Sequence, residues 1–400
     1  MSILILNVLP AHLANYQEWL QDSSEELYLF TDERIVDQFD GFAYKKGFVQ
    51  YRDNGLVETE AVRLHQEKQF RAVIALDERD IERAARIREY LGLAGQGIES
   101  ATAFRNKVRM KEIARRANLP VANFQVIPNA LDLYSFIEAN GFPIVVKPIC
   151  GFGAVNTEVL RSWEDYDRFV EVGIPQDMMV ESFVEGNMIQ CDGLMVDGKI
   201  VFASVGKLVH SCLSFYDNEG VMITLISPDN PLFKKAMDFT TTTIQAFPVP
   251  RVSSFHCEMF VRQNGELVLC EIASRTAGAQ VGESIRQAYG VHLDKAWTRL
   301  SLGLNEELPP LKNPKKLTGI YLIPKRSGIL QSTIDQFPFN WVTEYNQRVT
   351  PGTVTRRSLS VVGTIGSVVF EADSEEQMEE RIHKLLKYVR EHITWGPVPE

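Results

Sequence analysis

One stretch of the sequence is decisive for the fold class: residues 256–275, HCEMFVRQNGELVLCEIASR, predict a β-hairpin. Its two alternating runs of apolar and polar residues flank Asn264 and Gly265, a pair that favours a two-residue type I′ turn. With those two residues as the loop, Glu258 and Glu271 lie directly opposite each other on one face of the hairpin. The opposite face is apolar and is expected to face the core; its residues are Cys257, Met259, Val261, Val268, Cys270 and Ile272.

The two facing carboxylates need a partner. Because like charges across a ladder repel each other, a cation or a shared proton must offset the repulsion. Oxygen ligands on a rigid sheet suit Mg²⁺, which takes its remaining ligands from water and from substrate phosphates. The alternative is a solvent-exposed hairpin end that carries two acids. Arg275 follows on the same face and predicts either a bidentate grip on a phosphoryl or acyl-phosphate group or an ion pair with Glu271 alone.

Composition narrows the class of protein. The 400 residues are 45% hydrophobic and 24% charged, which is typical of a globular chain and excludes a disordered or fibrous one. The net charge of −10 argues against nucleic acid and anionic membranes as partners. No apolar stretch reaches the length of a membrane helix, the first residues show no leader peptide, and the five cysteines lack metal-ligand spacing. We therefore expect reduced thiols and a cytoplasmic location.

The order of the predicted elements indicates more than one domain. Strand and helix patterns alternate over residues 1–100, which indicates a parallel sheet covered by helices. Antiparallel strands separated by EG and DG turns follow between residues 178 and 206. After a candidate linker at residues 309–316, the tail adds strands and a closing helix with a capping box at residues 374–377. We expect an α/β amino-terminal domain, an α+β centre and a smaller α+β carboxy-terminal piece.

Two lysines stand near candidate phosphate-binding elements. Lys147 ends a predicted buried strand and is followed by a loop with Gly151 and Gly153, so backbone amides and an ammonium could converge on an anion. By itself this GxG is an ordinary turn, since neither a Walker A loop nor a GxGxxG motif is present. Lys107 lies on a predicted helix with several other basic residues, Arg105, Arg109 and Lys111. Taken alone, that pattern indicates a solvent-exposed basic face.

The succession of these blocks resembles a known family. In order they are GLAG and NKVRMKEIARRANLP within residues 92–120, FPIVVKPICGFGAVNT at 142–157, MMVESFVEG at 178–186, HCEMF at 256–260 and VLCEIASRTAG at 268–278. Together they resemble the ATP-grasp ligases over about residues 70–290. The tail GIYLIPKRSGIL, residues 319–330, is similar to the branch with L-amino-acid ligases and carnosine-synthase-like dipeptide ligases.

The resemblance implies a fold and a domain plan. It implies an ATP-grasp fold with an amino-terminal Rossmann-like domain at residues 1–100. The central ATP-grasp domain would comprise residues 101–123 and 187–310, with a mobile lid at 124–186 that carries the glycine loop. Residues 311–400 would complete the ligase.

The resemblance also implies roles for the residues of a nucleotide site. Lys107 and Lys147 match the lysines that contact the ATP phosphates, and the loop of Gly151 and Gly153 matches the one that closes over them. Glu181 matches the acid that accepts from the adenine amino group.

The remaining matches concern the adenine edge and the reacting groups. The backbone of Phe183 and Val184 matches the hinge along the adenine edge. Glu258 and Glu271 match the Mg²⁺ ligands, in agreement with the pairing derived from the turn. Arg275 matches the arginine at the transferred phosphoryl group and, with Lys147, would be catalytic.

Three positions depart from the family pattern. Ala273 stands where many members carry a third metal ligand, Asn, so water or His256 would replace that ligand. Met188 stands where many carry a Glu that contacts the ribose, which leaves the ribose partner unassigned. Ala279 leaves room for a larger substrate group.

The resulting function is an ATP-dependent ligase with ATP and Mg²⁺ as cofactors. It would phosphorylate a carboxylate, of an amino acid, and an amine would then displace the phosphate. Two alternatives stay open, a carrier-protein thiol as acceptor and a nucleotide-binding protein without turnover. A dehydrogenase is disfavoured because no glycine motif follows the first strand. The sequence leaves the choice between a monomer and a homodimer open, as well as the identity of both substrates.

Overall fold

The computed structural model describes residues 2–210, 219–309, 314–357 and 363–397, and the strands in these ranges form four sheets. Half of the candidate linker at residues 309–316, namely 310–313, lies outside the described residues, as does Cys212. The mixture of parallel and antiparallel sheets with covering helices confirms the predicted α/β and α+β class.

The amino-terminal sheet is parallel, in the order β3-β2-β1-β4. Its strands are β1 (Ser2–Asn7), β2 (Glu26–Asp32), β3 (Tyr44–Phe48) and β4 (Phe70–Ala75). The α-helices of this region are α1 (Tyr16–Trp19), α2 (Leu56–Lys68) and α3 (Asp80–Leu91). The order of these strands and helices along the chain confirms the predicted alternation. The α3 helix buries Ile81, Ala84 and Ala85 on one side.

Two helices lead from this sheet to the rest of the chain, α4 (Ile98–Arg105) and α5 (Lys107–Arg116). The α5 helix begins where the Asn106 side chain accepts from the Arg109 amide at 2.9 Å. Its buried residues recur at the spacing of one helical face and are Lys107, Met110, Lys111 and Ala114. The prediction of a solvent-exposed basic face was therefore wrong, since Arg105, Lys107 and Lys111 are buried and only Arg109 projects outward.

A second sheet is antiparallel, in the order β5-β8-β6-β7. Its strands are β5 (Phe124–Val126), β6 (Ile144–Pro148), β7 (Glu158–Leu160) and β8 (Met178–Ser182). Two helices, α6 (Ala130–Asn140) and α7 (Trp163–Glu171), pack on it around a separate apolar cluster that includes Leu133 and Val180. This sheet carries Lys147 on β6 and Glu181 on β8.

The third and largest sheet has eight strands, in the order β13-β12-β9-β10-β11-β14-β18-β16. Its strands from the middle of the chain are β9 (Asn187–Val196), β10 (Lys199–His210), β11 (Val221–Leu225), β12 (Val252–Val261) and β13 (Leu267–Ala273). Its strands from the tail are β14 (Leu317–Pro324), β16 (Val342–Gln347) and β18 (Thr364–Ala372). The helix α8 (Pro231–Ala246) lies between β11 and β12 in the chain, and α9 (Val281–Tyr289) and α10 (Leu293–Ser301) lie between β13 and β14.

The tail is completed by a small sheet and a long helix. The sheet pairs β15 (Gly328–Ser332) with β17 (Val354–Thr355) and β19 (Thr394–Gly396). The helix α11 (Glu375–His392) begins at Ser374, whose hydroxyl accepts from the Gln377 amide at 3.1 Å. The Gln377 side chain accepts in return from the Asp373 amide at 2.8 Å, so the predicted cap is present with its second bond displaced by one residue.

The sheets of the described residues can be compared with the predicted domain ranges. Three sheets each lie within one range, whereas the eight-stranded sheet takes strands from residues 187–310 and 311–400. The domain boundaries themselves stay a prediction. None of the helices in the described ranges is long and apolar enough to cross a membrane.

The hairpin of β12 and β13 differs from its prediction in the turn. The Arg262 amide donates to the Glu266 carbonyl at 2.9 Å, so the loop has three residues, and only Gly265, with φ of +78°, is left-handed. A two-residue type I′ turn is therefore wrong. The register shifts by one residue between Glu258 and Met259, where Cys270 is an extra residue in β13. Because this bulge compensates for the longer loop, the predicted pairing of Glu258 with Glu271 is confirmed.

Candidate active site

The floor of the candidate site is one face of the strands β9, β12 and β13, which lie side by side. Cross-strand partners put Glu271, Glu258 and Gln190 in one row. The next row along the same strands contains Ala273, His256 and Asp192. Since partners across a ladder project from the same face, the carboxylates converge as the sequence predicts.

Cations surround one of the two glutamates. The Lys107 ammonium lies 3.2 Å from Glu271 Oε2 and donates to the Gly151 carbonyl at 2.7 Å. Burial would raise the pKa of Glu271, but Lys107 and Lys147 lower it to about 2. The carboxylate is therefore ionised and available as a ligand near neutral pH.

A histidine and a further acid support the other glutamate. His256 Nε2 lies 3.3 Å from Glu258 Oε1, and His256 Nδ1 lies 2.7 Å from Asp192 Oδ1. Burial would lower the pKa of His256, but Asp192 and Glu258 raise it to about 10. Both ring nitrogens face carboxylates. Whether water or His256 replaces the ligand missing at Ala273 stays a prediction.

The donor set fits a magnesium ion that is also bound by a nucleotide. Within the described ranges, no group of three or more His, Cys, Asp and Glu residues is arranged to hold a metal ion by itself. Glu258 and Glu271 offer two carboxylates on a rigid floor. Mg²⁺ typically takes one or two protein carboxylates and completes its shell with phosphate oxygens and water.

A second cluster lies between the sheet of β6 and β8 and the helix α5. The Lys147 ammonium donates to Glu181 Oε1 at 2.5 Å, and the Lys111 ammonium lies 3.0 Å from Glu181 Oε2. Burial would raise the pKa of Glu181, but Lys111 and Lys147 hold it at about 2. Burial would likewise lower the pKa of Lys147, but Glu181 and Glu271 raise it above its ordinary value. Lys111 was not among the predicted site residues.

The hinge that follows Glu181 is partly occupied. The Phe183 amide donates to the Pro143 carbonyl at 3.1 Å, so this N–H is used within the protein. The Val184 side chain is buried with Ala122 and Val268. What the hinge can offer a base edge is thus the Phe183 carbonyl and the Val184 backbone.

The glycine loop docks on the amino-terminal half of the site. Besides the bond from Lys107 to Gly151, the Arg79 guanidinium lies 5.2 Å from the Phe152 ring centre. Gly153 has φ of +61°, a left-handed conformation that favours glycine. The loop therefore contacts Lys107 and Arg79. That it closes over the ATP phosphates stays a prediction.

Arg275 is paired with an acid of the amino-terminal region, Glu78, in a cluster beside the glycine loop. It forms an ion pair with Glu78, and Arg105 Nη1 binds the same carboxylate at 2.5 Å. Burial would lower the pKa of Arg275, but Glu78 raises it, as do Glu271 and Glu258 more weakly. The predicted exclusive pairing of Arg275 with Glu271 is therefore not observed. Glu78 was not predicted, although it follows β4 at the carboxyl end of a parallel sheet, where ligands commonly bind.

Electrostatic coupling joins the clusters into one site. The Glu271 charge raises the pKa of both Lys147 and Arg275, and Lys107 contacts Glu271 directly. The structure thus brings together the predicted lysines, acids and arginine around Glu271.

Solved structures match nearly the whole chain. An L-amino acid ligase from Bacillus licheniformis superposes with a TM-score of 0.81 at 18% identity, covering 99% of both chains. The chain has the ATP-grasp fold. A carboxyaminoimidazole ribonucleotide synthase from Aspergillus clavatus, solved with ATP, has a TM-score of 0.73 at 15% identity over 98% of this chain and 99% of its own. At these identities the ATP-grasp match shows the fold alone.

Sequence relatives carry ligase names. The chain is 28% identical over 272 residues to the L-arginine-specific L-amino acid ligase of Bacillus subtilis. The matched region is 66% of this chain and 65% of that protein. It is 31% identical over 135 residues to the D-alanine–D-alanine ligase of Frankia casuarinae, 32% of this chain and 35% of that protein. No protein-family model matches the chain. The resemblance to ATP-grasp ligases stated from the sequence is confirmed.

Proposed function

We propose that the protein is an ATP-dependent ligase that joins the carboxylate of an amino acid to an amine and releases ADP and phosphate. One observation carries the proposal: Glu258 and Glu271 face each other on the sheet, with Lys107 on Glu271 and with Lys147 and Arg275 within its electrostatic reach. The relatives named as amino acid ligases support amino acids as substrates.

The reaction would proceed in two displacements. A carboxylate oxygen attacks the γ-phosphorus of ATP, the bond to the bridging oxygen breaks, and ADP leaves. The amine nitrogen then attacks the acyl carbon, the carbon–oxygen bond to the phosphate breaks, phosphate leaves, and the nitrogen loses a proton to solvent. No nucleophile from the protein is required, because positioning and charge stabilisation suffice.

Each cluster would have one task in this scheme. Lys107 and Lys147 bind the phosphates, and Glu181 accepts from the adenine amino group. Arg275 stabilises charge on the acyl phosphate through its planar guanidinium. When bound, Mg²⁺ would be held by Glu258 and Glu271 and would screen the charge of the triphosphate.

The lid has a protective task in the proposal. The glycine loop with Gly151 and Gly153 lies over Lys107, and closing it excludes water that would hydrolyse the acyl phosphate. The two alternatives, a carrier-protein thiol as acceptor and a nucleotide-binding protein without turnover, are not favoured by the relatives' names. The cytoplasmic location and the homodimer stay predictions.

The test is phosphate release from ATP with Mg²⁺ in the presence of the twenty amino acids, singly and in pairs. ADP and a dipeptide formed only when two amino acids are present would support the proposal. Formation of AMP would contradict the acyl-phosphate route. Tight ATP binding without turnover on any pair would instead favour an alternative acceptor or a non-catalytic role.

A further inference from the structure

Lys111 is a buried cation to which the proposed reaction gives no task. Its side chain is 1% exposed. Such a buried position on a helix that packs against a sheet is usually occupied by an apolar residue. Its ammonium lies 3.0 Å from Glu181 Oε2 and donates to the Cys270 carbonyl at 3.0 Å. A buried lysine is costly unless it is paired, so its presence requires a reason.

The reason lies in the charge balance around Glu181. One carboxylate contacts two ammonium groups, so the cluster carries one buried positive charge in excess. Without Lys111, Lys147 would be the sole close counter-ion of Glu181. A triphosphate that engages Lys147 would then leave a buried carboxylate uncompensated, which is strongly unfavourable.

The two lysines are anchored differently. Lys111 is fixed to the main chain at Cys270, the extra residue of the bulge in β13, and it lies on a packed helix. Lys147 ends at Glu181 alone, since no second hydrogen-bond acceptor for its ammonium occurs among the described residues. It also stands directly before the glycine loop, at the end of β6. Lys111 is thus held beside Glu181 as an ion pair by its bond to the main chain, and Lys147, with one hydrogen bond to Glu181, has donors to spare.

We propose that Lys111 is a positioning residue that neutralises Glu181 and thereby leaves the Lys147 ammonium for the polyphosphate of the nucleotide. The inference rests on the proposed function, because it takes ATP as the ligand. It adds a division of labour between two lysines that contact the same carboxylate.

The test measures the dissociation constants of ATP and adenosine by competition with a fluorescent nucleotide, on the full chain. In Lys111→Met, Lys147 is the only close counter-ion of Glu181 and is held there instead of binding the phosphates. The dissociation constant of ATP therefore rises by about 10-fold to 100-fold, which corresponds to the loss of one charge-assisted hydrogen bond. Adenosine has no phosphate, so its constant stays within about twofold of the wild type.

A double variant separates this role from a structural one. Glu181→Gln removes the charge that holds Lys147, so in a Glu181→Gln background the added Lys111→Met changes the ATP dissociation constant by less than about threefold. The double variant buries no unpaired carboxylate and serves as the test should the single variant not fold. Arg109→Met is the matched control, because Arg109 lies on the same helix with its side chain 41% exposed and should leave ATP affinity unchanged.

The outcomes are distinguishable. An unchanged ATP constant in folded Lys111→Met, an equal loss for adenosine, or an effect of Lys111→Met of about 10-fold or more in the Glu181→Gln background would overturn the inference alone. Failure of the wild type to bind ATP would overturn the proposed function and the inference with it. No amino acid substrate is needed for either reading.

Discussion

Two clusters of buried charge lie within the same site and are built in opposite ways. Around Glu181, two lysines face one carboxylate. Along the floor of the sheet, Asp192, Glu258 and Glu271 face His256 and Lys107. The first cluster is buried and has cations in excess, whereas the second has carboxylates in excess and includes the half-buried Glu258 and Glu271.

The difference indicates what each cluster lacks. A surplus of buried cations is relieved by an anion such as a phosphate, and a surplus of carboxylates is relieved by a divalent cation. A third cluster, in which Glu78 lies between Arg105 and Arg275, is again rich in cations. Two clusters of the site are thus suited to anions and one to a divalent cation, as the proposed reaction requires.

The largest effect is expected on removing a charge from the carboxylate-rich cluster. Glu271→Gln should lower turnover by about 10³-fold and abolish the rise in melting temperature that Mg²⁺ adds to ADP, because one metal ligand is lost. Steady-state kinetics and thermal melts with and without Mg²⁺ measure both. Glu266→Gln is the matched control on the same hairpin, since Glu266 pairs with Arg262 at the loop. Normal turnover in the Glu271→Gln variant would remove the central observation of the proposal.

The next effect tests the cation-rich end at Arg275. Arg275→Met should lower kcat by about 10²-fold and change the KM for ATP much less, because the charge it stabilises develops on the transferred group. Arg286→Met, at an exposed ion pair on α9, is the control. A rise in KM with unchanged kcat would place Arg275 at the nucleotide instead.

The pH dependence of folding stability extends the comparison to Asp80, a buried carboxylate that pairs with one arginine. Asp80 pairs with Arg83 at 3.0 Å, and burial raises its pKa to about 7, whereas two lysines keep Glu181 at about 2. The folded state binds a proton to Asp80 that the unfolded state has lost, so stability falls as pH rises from about 4 to about 7. The slope is at most about 1.4 kcal/mol per pH unit. Asp80→Asn should flatten this part of the profile.

Urea unfolding of both proteins at several pH values provides the measurement. The informative quantity is the difference between wild type and Asp80→Asn, since other titrating groups cancel in it. Parallel profiles across this window would contradict the raised pKa of Asp80.

The smallest effect concerns the docking of the glycine loop. Phe152→Ala removes the ring under Arg79 but leaves the bond from Lys107 to Gly151, so the KM for ATP should rise only about two- to fivefold. Trp163→Ala, an exposed aromatic side chain on α7, is the control. An effect as large as that of Glu271→Gln would mean that the ring contact, rather than the lysine, holds the loop.

The hairpin of β12 and β13 shows what the local sequence pattern predicts correctly and what it does not. Its alternation predicts the pairing of Glu258 with Glu271, which is present. The turn was wrong because Asn264 and Gly265 also suit a three-residue loop, and the bulge at Cys270 restores the register. Two local deviations cancel because the apolar face of the hairpin must stay in the core.

The α5 helix shows where pattern reading fails. Lys107 and Lys111 occupy positions four residues apart on the buried face, which a reading based on polarity assigns to solvent. That a charged residue lies inside follows from the carboxylates that other elements bring to it. The roles of the site residues beyond these contacts stay predictions.

The sequence alone determined the facing pair of glutamates, because that pairing depends on residues close together in the chain. It also determined the ATP-grasp resemblance, because the order of the blocks is itself a property of the sequence. The tertiary structure alone decided that Lys111 reaches the Cys270 carbonyl across 159 positions and that Arg275 pairs with Glu78 across 197. It also decided that His256 is held between two carboxylates. The periodicity of a helix or strand indicates which side is buried, but the partner of a buried charge depends on which distant element packs against it.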